Sequence, residues 1–188
     1  MATGIHYTDT MTPHFVSDLS AVTLSTTAKA LHTAADCPTA MRLGGFFDRS
    51  GKAIRVTAFG KITTDTTPGN GSFRIYWGTG ADANGTLLMT GGSFALAASQ
   101  TNLSWWCEFV VRCITPGSSG SLYCTGIAHL NSSLMSTPAP VLLPPSAAAA
   151  VSSLDLTTAG NVVSLQFLRS GSTVETMTVQ DLRFESLN

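Results

Sequence analysis

Residues 103–114, LSWWCEFVVRCI, alternate without a break between apolar and mixed positions. Trp105, Cys107, Phe109, Val111 and Cys113 fall on one side of a two-residue period, and Trp106, Glu108, Val110 and Arg112 on the other. Successive side chains of a strand point to opposite faces, so this stretch folds as a long strand with one face in a core. One such strand cannot bury its own apolar face. It demands a sheet around it and a second layer opposite.

The rest of the chain supplies both. AIRVTAFGKITT (53–64) places Ile54, Val56 and Ala58 on one face, and residues 72–78 place Phe73, Ile75 and Trp77 inward with Arg74 and Tyr76 opposite. TLLMT and SFALAA read as two shorter strands, residues 122–130 as the return of a hairpin through TPGSSGS, and residues 162–169 as a strand with Val163, Leu165 and Phe167 inward. In the last strand, from Thr173 to Leu187, Met177 and Val179 share one parity while Leu182 and Phe184 share the other. A bulge near Gln180 and Asp181 brings all four to one face. Ala21 to Leu24 reads as a brief first strand, and AKALHTAA as the start of a helical turn that Pro38 closes. Turns are marked by DTTPGNG and GADANG. Roughly eight to ten strands with almost no helical period predict an all-β, two-sheet sandwich, a jelly roll being the favoured version. No repeat of propeller or solenoid length occurs.

Before these strands, residues 1–20 are polar with scattered Ile5, Tyr7, Phe15, Val16 and Leu19. They read as an N-terminal arm or anchoring segment ahead of a single sandwich domain, residues 21–188, with a regular first strand as the other reading. The five apolar residues are the expected anchors on a partner.

Composition narrows the function. Lys and Arg total 10 against 11 Asp and Glu, a net charge of −1, which provides no field for direct nucleic-acid binding. Charged residues make up 11% of the chain, against about 25% in ordinary soluble domains, and such a charge-poor surface suits an assembly. No run is long enough for a membrane-spanning helix, so no membrane insertion is expected. MATGIHYTDT has neither a basic start nor an apolar core, which predicts synthesis in a cytoplasm without export.

Chemical motifs are few. Cys37, Cys107, Cys113 and Cys124 form no CxxC pair, so buried thiols are expected and no metal site; if the hairpin is centred between Ser118 and Ser119, Cys113 faces Cys124 and a disulfide is open to them. His6, His14, His32 and His129 stand beside no nucleophile motif, and His32 with Asp36 reads as a turn cap. Glu108, Glu175, Asp181 and Glu185 lie on strands within reach of Arg112 or Arg183, as solvated pairs rather than the facing carboxylates of a glycosidase. The glycine runs are β-turns, with no helix behind them to hold a phosphate. No catalytic residue and no cofactor is expected. Trp77 and Trp105 fall on core parities, leaving Trp106 exposed, at a possible subunit interface.

The stretches STTAKALHTAADCPTAMRLGGFFDRSGKAIRVTAFGKITT, PGNGSFRIYWGT, TNLSWWCEFVVRC and SGSTVETMTVQDLRFESLN resemble a family of tailed-bacteriophage virion proteins over residues 24–188. The resemblance implies a jelly-roll-like subunit located in the virion, assembling most often as a homotrimer on the major capsid protein or another virion protein. The function expected from it is non-enzymatic: capsid decoration, as a cement or head-fibre protein. The alternative is a tail or baseplate adhesin that binds host surface glycans, and a third reading is a polysaccharide-degrading enzyme.

Overall fold

A computed structural model describes residues 14–134, 140–144, 146, 149–171 and 173–187. The elements in chain order are β1 (His14–Ser17), β2 (Val22–Thr23), β3 (Lys29–Ala30), a 3₁₀ turn (Ala34–Asp36), α1 (Thr39–Arg42), β4 (Ala53–Thr63), β5 (Asn70–Gly78), β6 (Thr86–Thr90) and β7 (Phe94–Ala95). β8 (Leu103–Thr115), β9 (Gly120–Leu130), β10 (Val141–Leu143), β11 (Val151–Leu154), β12 (Val162–Arg169) and β13 (Thr176–Ser186) follow.

These strands make a β-sandwich of an eight-stranded and a five-stranded sheet. The larger runs β1-β13-β4-β8-β9-β10, with β2 on β13 and β11 on β9; the smaller runs β3-β12-β5-β6, with β7 on β5. Every pairing is antiparallel. The chain visits β2, β13, β4 and β8 in one sheet and β3, β12, β5 and β6 in the other in jelly-roll order. The β9–β11 segments extend the larger sheet beyond that frame. Thirteen strands exceed the expected number because several, such as β2, β3 and β7, are only two residues long and carry no readable period. No helix among the described residues is long and apolar enough to cross a membrane.

The core is the set of inward parities. Ile54, Val56, Ala58, Phe73, Ile75, Trp77, Trp105, Cys107, Phe109, Val111 and Cys113 are all buried, as the alternation requires. In β13 the register against β4 shifts between Val179 and Asp181, so Met177, Val179, Leu182 and Phe184 all enter the core. β12 departs from simple alternation, with Val162 through Phe167 all buried. Its second face is covered by the loop after β5: the Gln166 side chain donates to Ala81 O at 2.9 Å and accepts from the Ala83 N–H at 2.8 Å.

Three expectations are corrected. Pro38 opens a helical turn instead of closing one: it stands at the N-cap of α1 with φ −53°, while the preceding AKALHTAA contributes β3 and the 3₁₀ turn. Cys113 faces Leu122, and Cys124 faces Val111, because the hairpin loop is off the assumed centre and β8 bulges between Cys113 and Thr115. All four cysteines are buried free thiols. Finally, within the segment read as an arm, residues 14–17 form β1, paired with residues 181–184 of β13, which is the first-strand reading; residues 1–13 lie outside the described residues.

One close approach fixes how the larger sheet packs. Gly60 of β4 lies under the Trp105 indole, and a Cβ there would stand 2.7 Å from the ring and closer still to Thr178 O. Gly60→Ala is expected to destabilise the fold by about 1–3 kcal/mol, the usual cost of overpacking, read as a lower denaturant midpoint. A thiol reagent should label all four cysteines slowly in the native protein and rapidly in denaturant, since burial raises each thiol and pushes Cys37 up to about 12.

Candidate functional site

Flat register turns the outward positions of the larger sheet into rows across the strands. One row is Phe59, Trp106 and His129, directly opposite one another on β4, β8 and β9. Ring centroids lie 6.0 Å apart for Phe59 and Trp106 and 5.3 Å for Trp106 and His129. The neighbouring row is Phe15, Arg183, Thr57 and Glu108, on β1, β13, β4 and β8. Arg183 is held by Asp181 at 2.7 Å and lies 5.2 Å over the Phe15 ring.

Arg55 links the next row to this one. Its Nη1 donates to Glu185 Oε2 at 3.2 Å, and its Nε is 3.7 Å from Glu108 Oε1. These side chains line a shallow groove of about 290 Å³. Beyond it, on β8, β9 and β10, apolar Val110, Ile127 and Leu142 stand among the polar outward positions, Ile127 opposite both Glu108 and Leu142, with Ile114 apart beyond Arg112; Leu142 is 57% and Ile114 43% exposed.

The expected anchors separate by parity. Ile5 and Tyr7 lie outside the described residues. Val16 and Leu19 pack against this chain's own core, and Phe15 faces outward, 57% exposed. Trp106 is half-buried between Phe59 and His129, at the border of groove and apolar strip. Of the carboxylates, Glu108 and Glu185 converge on the groove, whereas Glu175 is fully buried in an ion pair with Arg169 at 2.5 Å. Arg55 and Phe59 were not singled out from the sequence. Their signal is parity, since both stand opposite the Ile54, Val56, Ala58 face of β4. Among the described residues, no three His, Cys, Asp or Glu side chains gather as a metal site would need.

A second cleft, of about 570 Å³, opens where the two sheets part, between residues 19–22 and the loop at 80–82. Its floor holds His32, which ties the sheets together. Nε2 accepts from the Leu165 N–H of β12 at 3.1 Å, Nδ1 donates to Thr33 O at 3.1 Å, and the ring packs on Phe184 of β13. Thr33 and Asp36 close a capping box beside it, Asp36 accepting from the Thr33 N–H and hydroxyl. Cys37 Sγ is 3.8 Å from His32 Nδ1, but a buried thiol raised to about 12 is not a nucleophile.

Compared with protein-family models, curated proteins and solved structures, the chain matches none.

Burial lowers the His32 pKa below its ordinary 6.5. The unfolded chain therefore takes up a proton at this histidine before the folded one does, and stability rises with pH across that window. A bound proton would also remove the acceptor that the Leu165 N–H needs. Melting temperature is expected to be level above pH 6.5 and to fall as pH drops below it. Histidine-to-glutamine substitution, His32→Gln, should flatten that limb in a calorimetric pH series; an unchanged slope would remove His32 as its source.

Proposed function

We propose that the protein is a non-enzymatic structural subunit of a tailed-phage particle, a capsid decoration protein that acts as a homotrimer bound to the head. The resemblance of residues 24–188 to phage virion proteins supports the setting. The observation that carries the assembly reading is the apolar strip of Val110, Ile114, Ile127 and Leu142 on the outer face of the larger sheet. Exposed apolar side chains gathered on one sheet face mark protein contacts.

The occupant we assign to the strip is another copy of this chain. The strip runs out to Leu142 on β10 at the end of the sheet path, so a neighbouring subunit meets its exposed apolar side chain there. Glu108, directly opposite Ile127, and Arg112, between Val110 and Ile114, are the charged neighbours on β8 and stay at the rim of the contact. A closed ring of subunits hides each strip, and three equal attachment points on a capsid raise avidity without stronger single contacts.

Light scattering in physiological salt should give three times the 19.6 kDa chain mass, and Leu142→Glu should lower it to one. The intact trimer should co-sediment with undecorated phage heads. A monomeric native protein would overturn the assembly reading; a trimer that ignores heads would move it to the tail or baseplate.

A further inference from the structure

We propose that the groove formed by Arg55, Glu108, Arg183 and Glu185 beneath the Phe59–Trp106 pair is a binding site for a neutral saccharide. Its polar floor distinguishes it from the apolar strip beside it. Two guanidinium groups and two carboxylates line it, and Asp181 behind Arg183 takes up that guanidinium's charge, so the floor holds no unpaired cation. An anionic ligand would find nothing to neutralise there. A polyhydroxyl ligand finds both kinds of partner, because each hydroxyl donates one hydrogen bond and accepts others.

Pairing within the floor makes this workable. Arg55 Nη1 is committed to Glu185 at 3.2 Å and Nε faces Glu108 at 3.7 Å, yet a guanidinium has five N–H donors and each carboxylate about four acceptor positions. The Thr57 hydroxyl, which donates to Glu108 at 3.5 Å, adds one more acceptor. Vicinal hydroxyls can therefore bridge an arginine and a glutamate without either charge losing its partner.

The walls suit the other half of a sugar. Phe59 is 42% exposed and tilted 46° to Trp106, and Phe15 stands across the row, 57% exposed, with Arg183 over its ring. Aromatic faces carry partial negative charge and pack on the C–H face of a pyranose, while their apolar area would otherwise stay wet. The volume of about 290 Å³ lies at the small end of ligand sites and fits one or two rings. A protein partner is the weaker occupant, since charged residues are depleted at the centre of protein interfaces. All of these side chains stand on paired strands of one sheet, so the site is formed before the ligand arrives.

The inference does not rest on the assembly reading, and the test is made on the full chain in whatever oligomeric state it adopts. Neutral oligosaccharides of glucose, galactose, mannose and N-acetylglucosamine, with sulfated and sialylated ones beside them, are titrated by calorimetry and by saturation-transfer NMR. At least one neutral sugar should bind with a dissociation constant on the order of 1 mM per site. Trp106→Ala should weaken it about tenfold. Arg55→Leu should weaken it too, while the milder Trp106→Phe and Glu185→Gln, with circular dichroism unchanged, guard against loss of fold. Leu142→Glu, on the apolar strip, should leave per-site affinity as it is. No binding by any neutral sugar at about 10 mM would overturn the proposal, as would binding confined to anionic sugars and abolished by salt.

Discussion

A single extra residue in β13, Gln180, governs what the larger sheet can do. Without the register shift between Val179 and Asp181, the alternation would send Leu182 and Phe184 outward if Met177 and Val179 stay in. With it, four apolar side chains enter one core, and Asp181, Arg183 and Glu185 come out together on the opposite face. The bulge thus completes the core and charges the groove in one step. Phe15 then lands opposite Arg183, and Glu185 opposite Arg55, because the strands on either side inherit the same register.

The two outer halves of that sheet differ in kind. Between β1 and β8 the face pairs aromatic rings with ion pairs; between β8 and β10 it sets the apolar Val110, Ile127 and Leu142 among Glu108, Arg112 and the polar positions of β9. A concave polar floor fits a small polyhydroxyl ligand, and an exposed apolar strip fits another protein surface. Trp106 stands on the boundary, which is why a reading by parity alone assigns it to an interface without separating the two uses.

Long alternating strands were legible in the sequence: β4, β5 and β8 show their inward faces directly, and the parity break in β13 predicts its own bulge. What was illegible depends on tertiary placement. The partner of Cys113 is decided by a hairpin loop and a bulge that no local signal locates, so Leu122 stands where Cys124 was a possibility. Pro38 reads as a stop in isolation and serves as a start because α1 begins after it. In the candidate groove, Glu108, Glu185 and Arg183 could be noticed as charges, but their meeting around Arg55 follows from cross-strand register, a long-range property.

The pairing of His14 with Phe184 has a kinetic consequence. β1 and β2 precede the other described strands in the chain, yet among the described residues they ladder on β13, so the intervening chain must leave the ribosome before that edge can form. Loop closure over such a distance precedes the contacts that reward it, which makes folding slow. Until β13 docks, its neighbours β4 and the early strands present bare ladders, and nascent chains close to one another are at risk of pairing across molecules. The time spent in that unclosed state sets how fast finished molecules accumulate.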